Sequence, residues 1–142
     1  MYQIITHSKE ETFKFAKEIA RQLKGGEIIF LKGNLGSGKT TFTQGLALAI
    51  GIKDCVNSPT FVIMKQYFNQ PLSLIHIDAY RLEGISQDLG FLDYLDNQSI
   101  MLIEWAQFLN DNDLNTNKTI EFEIIENDQR KITYSGFSEV NI

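Results

Sequence analysis

One cysteine, two prolines, one tryptophan and three arginines are all that this 142-residue chain contains of those four types. A lone cysteine, Cys55, cannot close an internal disulfide, so a reducing compartment fits and the cytoplasm is the expected location. No apolar run reaches bilayer-spanning length, which predicts no membrane contact. The opening residues, Met1 to Thr6, lack the basic-then-apolar layout of a secretory signal. Positive charge is also scarce: 13 Lys and Arg stand against 18 Asp and Glu, for a net charge of -5. Proteins that hold nucleic acid unaided carry a basic face that displaces phosphate counterions. If RNA enters this protein's biology, another subunit is expected to hold most of it.

The proportions of 43% hydrophobic and 22% charged residues are globular ones. There is no internal repeat and no low-complexity linker, and residues 1–142 are expected to form a single domain. Ser8-Lys9-Glu10-Glu11 has capping-box spacing, which predicts Glu11 reaching back to Ser8. Phe13, Ala16, Ile19, Ala20 and Leu23 follow at helical spacing, and Gly25-Gly26 ends the helix. Ile28 to Leu31 reads as a strand running into a glycine-rich loop, and Lys39 to Ile50 as the next helix, stopped by Gly51. Thr60 to Phe68 and Leu72 to Asp78 are β-rich runs joined by Asn69-Gln70-Pro71, the pattern of a hairpin. Ser86 to Asn97 reads as a helix burying Leu89, Leu92 and Leu95. Ile100 to Ile103 is wholly apolar, as a strand buried on both faces is. Asn110 to Lys118 reads as a polar surface loop, and Thr119 to Glu126 with Lys131 to Phe137 as a second hairpin. The expected fold is an α/β three-layer sandwich, its β-sheet mixed and partly antiparallel.

Gly33-Asn34-Leu35-Gly36-Ser37-Gly38-Lys39-Thr40 matches G-x-x-x-x-G-K-[ST] at every fixed position. Glycines let consecutive backbone amides curl around a polyphosphate without side-chain clashes. Lys39 extends a cation toward the β- and γ-phosphates, the Thr40 hydroxyl can ligate Mg²⁺, and Thr41 is positioned for the α-phosphate. The helix that starts there turns the positive end of its dipole to the same anion. From average composition, the fixed positions match by chance in roughly 0.5% of chains this long. The strand before and the helix after are the context the motif requires, so a nucleotide with Mg²⁺ is the expected ligand and the sandwich is expected to be of the P-loop NTPase kind.

Such a loop needs an acid at a neighbouring strand end to organise Mg²⁺ or its waters. Leu74-Ile75-His76-Ile77-Asp78 and Ile100-Met101-Leu102-Ile103-Glu104 both supply one. The second run has no polar interruption, which leans toward Glu104 beside Thr40, with Asp78 handling water or closing the site. Lys39, Asp78 and Glu104 are therefore the candidate catalytic set. His76, mid-strand between apolar neighbours, reads as structural rather than as a ligand. Ser58-Pro59-Thr60 alone is a turn entering a strand, and Tyr80 and Trp105 could be core anchors with a polar edge.

Four segments together resemble the bacterial TsaE family, also called YjeE: the loop from Gly33 to Thr41, Ser58-Pro59-Thr60-Phe61, His76-Ile77-Asp78-Ala79-Tyr80-Arg81-Leu82, and Ile103-Glu104-Trp105. They stand in the family's order at similar intervals, so the likeness covers nearly the whole chain. The resemblance implies a small ATPase of tRNA threonylcarbamoyladenosine (t6A) synthesis, supporting modification of tRNA adenosine 37. It would work by cycling on a TsaB–TsaD complex and meet tRNA only through that complex. It implies ATP bound by Gly36, Ser37, Gly38, Lys39, Thr40 and Thr41, with Glu10 near the adenine, chiefly through backbone. Thr40 and Glu104 would hold Mg²⁺, while Ser58, Thr60, Tyr80, Arg81 and Trp105 would form switch segments. Asn34, Ser37 and Ala106 depart from the family's usual Asp, Ala and Pro.

Rival functions are weighed against particular residues. A small-molecule P-loop kinase closes an arginine-rich lid over the transferring group, and three arginines supply little of one. A GTPase would read guanine with Asn-Lys-x-Asp, whereas Asn117-Lys118-Thr119-Ile120 ends in isoleucine. A regulatory module that holds ATP and hardly turns it over is the third alternative.

Overall fold

Strand β5 (Ser99–Glu104) is buried at all six positions, and the sheet extends outward from it. The computed structural model describes residues 1–54, 56–57, 63–84, 89–109 and 114–142. On one side of β5 runs β2 (Ile28–Lys32), on the other β4 (Ser73–Asp78), both parallel to it. β6 (Thr119–Glu126) is parallel to β2 and continues the sheet beyond it. Antiparallel strands finish both edges. β3 (Met64–Tyr67) pairs with β4, while β7 (Gln129–Ser135) pairs with β6 and in turn carries β1 (Tyr2–Thr6). The order is β1-β7-β6-β2-β5-β4-β3, so the mixed, partly antiparallel sheet expected from the two hairpins is present. Residues 60–62 of the first hairpin lie outside the described residues.

The apolar central strands bury both faces, as strands covered on two sides must. Even-numbered β5 residues Ile100 and Leu102 join Ile29, Leu31 and Phe122 against helices α1 (Lys9–Ala20) and α2 (Lys39–Ala49). Met101 and Ile103 join Ile75, Ile77, Leu82 and Phe91 on the opposite face, where 3-10 turns and loops form the third layer. The period-2 alternation of strand side chains thus divides one apolar run between two cores.

Ser8 caps α1 from an extended conformation, its Oγ accepting the Glu11 N–H at 3.1 Å. The reciprocal half of the expected capping box is displaced by one residue. Glu11 reaches past Ser8 and accepts the His7 N–H at 2.7 Å, with His7 Nδ1 at 3.0 Å. Of the expected α1 stripe, Ala16, Ile19 and Leu23 are buried and Ala20 partly so, and Thr12 and Phe15 are buried beside them. Phe13 is only partly buried and lies against Gly45 of α2. A methyl group at Gly45 would come within 2.9 Å of the Phe13 ring, so glycine is what allows the two helices to approach.

Two further expectations change. β1 was not anticipated, because an edge strand with one buried residue shows no strong alternation. Within the described part of 86–97 there is a 3-10 turn, Phe91–Tyr94, in place of a helix. Gly90 enters that turn in the left-handed region at φ 71, and Phe91 is the residue buried. Leu89 is exposed, while Leu92 and Leu95 are partly buried. A left-handed residue breaks the helical hydrogen-bond ladder that the leucine spacing would otherwise support.

Candidate functional site

The carboxyl ends of β2, β4 and β5 lie side by side, which in parallel sheets is where ligands bind. Register places Glu104 opposite both Leu31 of β2 and Asp78 of β4. The Ala79 N–H donates to the Glu104 carbonyl at 2.9 Å, tying the two strand ends together. Between β2 and α2 runs the glycine loop, and a cleft of about 700 Å³ opens over it. Gly36, Gly38, Lys39, Thr40 and Thr41 line this cleft on one side, and Asp78 and Glu104 on another.

Loop shape depends on glycine at particular points. Gly33 has φ 142, and a Cβ there would stand 2.5 Å from Ser37 Oγ and 2.8 Å from the Phe122 carbonyl oxygen. Gly38 caps α2 at φ 116, in the region L side chains avoid. The first amides of α2 are therefore free of a side-chain cap, and the helix dipole adds positive potential at its N-terminus.

Three side chains form a buried polar chain at the base of the cleft. Lys39 Nζ lies 3.3 Å from Glu104 Oε1, and His76 Nε2 lies 2.7 Å from Glu104 Oε2. Lys39, His76 and Glu104 are all buried. For Glu104, burial is the largest influence and acts to raise its pKa. The His76 hydrogen bond and the His76 and Lys39 charges outweigh it and hold the carboxyl below its ordinary value. Asp78 goes the other way. Its partial burial raises the pKa and the Glu104 charge adds to that, against the lowering effects of the Tyr80 N–H bond, Lys39 and His76. Neighbouring carboxyls with opposed shifts are the arrangement that separates a stable anion from a proton acceptor.

Trp105 follows Glu104 in the left-handed region, φ 60 and ψ 42, a conformation costing an L-residue about 1–2 kcal/mol. Ring contacts hold it there. Its indole stacks on Phe108 at 5.6 Å, meets Tyr80 edge-on at 5.2 Å, and lies 5.0 Å from the Lys39 ammonium. Tyr80 is itself placed by its N–H, which donates to Asp78 Oδ1 at 3.0 Å.

The donor set suits a hard divalent cation with a polyphosphate. Thr40, Asp78 and Glu104 offer oxygen ligands to one cleft, and Mg²⁺ typically takes one or two carboxylates and completes its shell from phosphate and water. No cluster of three or more His, Cys, Asp or Glu forms a protein cage among the described residues.

The structure brings most sequence-predicted residues together. Tyr80, Arg81 and Trp105 line the cleft with the loop and the two acids. Ser37, within the loop, is buried, its Oγ without a hydrogen-bond partner among the described residues. Glu10 is exposed and is not among the residues lining this cleft, whereas Lys9 and Thr12 on either side of it are. Ser58 and Thr60 lie outside the described residues. Two residues that were not assigned to the site belong to it spatially. His76 shares a strand face with Asp78, a period-2 signal visible in His76-Ile77-Asp78. Arg130 reaches the loop from β7, its Nη2 donating to the Gly36 carbonyl at 3.4 Å, a contact no local pattern announces.

A mixed sheet with a glycine loop between strand and helix, and acids at adjacent strand ends, defines an α/β protein of P-loop NTPase-like fold. Residues 6–132 match the family described as "Threonylcarbamoyl adenosine biosynthesis protein TsaE". The chain belongs to the TsaE family. It is 42% identical over 131 residues to the tRNA threonylcarbamoyladenosine biosynthesis protein TsaE of Bacillus subtilis (strain 168), covering 92% of this chain and 83% of the relative. Identity to the protein of the same description from Aquifex aeolicus (strain VF5) is 38% over 132 residues, covering 92% of each. A crystal structure of Bacillus subtilis YdiB is similar at a TM-score of 0.75 and 33% sequence identity, over 94% of this chain and 84% of that one.

Proposed function

We propose that the protein binds Mg²⁺ and ATP in this cleft and hydrolyses the ATP, slowly alone and faster on a TsaB–TsaD-type complex. In this reading its cycle supports threonylcarbamoylation of tRNA adenosine 37, and tRNA is held by the complex rather than by this acidic chain. The observation carrying the proposal is the convergence of Lys39, at the start of α2, with Glu104 and Asp78, at two adjacent strand ends, on one cleft over the glycine loop.

In the mechanism proposed, the loop amides and the α2 N-terminus bind the phosphates, and Lys39 leaves Glu104 for the β- and γ-phosphate oxygens. Thr40 and Glu104 would hold the Mg²⁺, which when bound neutralises charge on those oxygens. Asp78, whose raised pKa makes it a better proton acceptor than an ordinary aspartate, orients the attacking water and takes its proton. Tyr80, Arg81 and Trp105 close over the reacting end, and Ser58 with Thr60 sense the γ-phosphate.

ATP hydrolysis by wild type, Lys39→Ala and Glu104→Ala, each with and without the partner pair, tests this reading. Both variants are expected to lose at least about tenfold in rate, as removal of a charge-stabilising group typically does. Wild-type rates in both would remove the assigned site. Phosphate appearing on a small acceptor rather than in water would favour the kinase alternative.

A further inference from the structure

His76 is a fully buried histidine in an otherwise apolar stretch of β4, and its one hydrogen bond given by the structure is to the strand-end carboxylate Glu104. A histidine kept for packing alone would be replaceable by an apolar residue of similar volume, without the cost of burying a polar ring. Here Nδ1 has no hydrogen-bond partner among the described residues, while Nε2 lies 2.7 Å from Glu104 Oε2. With a carboxylate as acceptor, Nε2 is the donor of that bond. The two oxygens of Glu104 are thus differently committed. Oε2 is held by a fully buried side chain, and Oε1 faces Lys39 at 3.3 Å.

We propose that His76 is a positioning residue that clamps Glu104 Oε2, so that Oε1 alone is presented to the cleft once Lys39 turns to phosphate. This rests on the Mg²⁺ and ATP reading of the cleft and adds to it which oxygen of Glu104 is offered and what holds it. The clamp is fixed within the sheet, since His76 and Glu104 sit on adjacent hydrogen-bonded strands with Leu102 as the register partner of His76. It makes the carboxylate a one-oxygen ligand of set direction instead of a freely rotating group. Outer partners of this kind commonly set metal affinity.

The test uses the full chain and its single tryptophan, Trp105, whose ring lies beside Lys39. Emission is followed first with ATP in EDTA, then in a Mg²⁺ titration of protein saturated with a non-hydrolysable ATP analogue. His76→Phe keeps ring volume without a donor, His76→Asn places its amide short of Glu104, and His76→Gln carries an amide nitrogen to about the Nε2 position. The Phe and Asn variants are expected to need about tenfold more Mg²⁺ for half-saturation or higher, with metal-free ATP affinity within about twofold of wild type and most of the loss recovered by Gln. Equal behaviour of all three with wild type, or equal loss in all three, overturns the clamp and leaves a packing role. Wild type with no saturable response to ATP would instead overturn the nucleotide reading itself. In wild type, where folding is not in question, ring ¹⁵N spectra resolve His76 from the chain's other histidine, His7. The His76 Nε2–H signal should shift when Mg²⁺ is added to the analogue complex, and an unmoved signal also overturns the clamp.

Discussion

Lys39 and Glu104 meet at 3.3 Å as a buried ion pair, so the cation expected to hold phosphate and the carboxylate expected to hold metal neutralise each other. Filling the cleft as proposed must exchange this pair for two new ones. Glu104→Gln should therefore destabilise the empty protein by about 2 kcal/mol, short of the roughly 3–5 kcal/mol of a sealed pair because Lys39 also reaches the cleft. ATP in EDTA should recover more melting temperature in the variant than in wild type, since phosphate then partners the stranded ammonium. A smaller ATP-induced rise in the variant would count against the exchange.

Trp105 lies 5.0 Å from the Lys39 ammonium, so it should report that exchange directly. Adding ATP should change its emission in wild type and leave it unchanged in Lys39→Ala. A steady-state fluorescence titration is sufficient to check this.

The two acids at the strand ends should respond to pH with opposite signs. Glu104 is held below its ordinary value, so its contribution is present above the unfolded value of about 4.3 and lost as pH falls through the lower folded one. Asp78 is raised, so the folded state prefers its neutral form and loses that advantage as pH climbs from the unfolded value, about 3.9, through the folded one. Asp78→Asn should consequently stabilise the protein at pH 7 and show little gain near pH 3.5. Urea denaturation at the two pH values measures the difference, and activity should fall in the same variant.

Gly33→Ala should cost about 2–3 kcal/mol, because its Cβ would meet both Ser37 Oγ and the Phe122 carbonyl at a positive φ. Gly36→Ala has open space around its Cβ and should cost only the backbone strain, about 1–2 kcal/mol. Thermal melts of the two variants should therefore rank Gly33→Ala as the less stable.

Ser8→Ala removes the side-chain acceptor at the start of α1. It should lower stability by about 1 kcal/mol, close to 3 °C in Tm for a chain of this size. Nucleotide binding should be preserved, since Ser8 is not among the cleft residues.

The loop from Gly33 to Thr41, the strand feeding it and the helix leaving it were legible because their signals are local. Positive-φ positions favour glycine, and an apolar run favours burial. The two hairpins were legible for the same reason, through turn residues set between β-rich runs. Both acids could be named as strand-end groups, yet their spacing in the chain could not say which stood beside which. That depended on β5 lying between β2 and β4, a matter of sheet order.

His76 looked like a core histidine, since apolar neighbours in sequence hide the carboxylate across the strand. Arg130 joined the loop only because β6 pairs with β2 and carries the β6–β7 hairpin to that side. The expected helix within 86–97 gave way, in its described part, to a turn set by the left-handed Gly90. The sequence by itself determined where the glycine-rich loop between strand and helix must lie, because backbone sterics act between neighbours. Tertiary structure alone decided that His76, Glu104 and Lys39 form one polar chain, because buried groups find their partners through strand register.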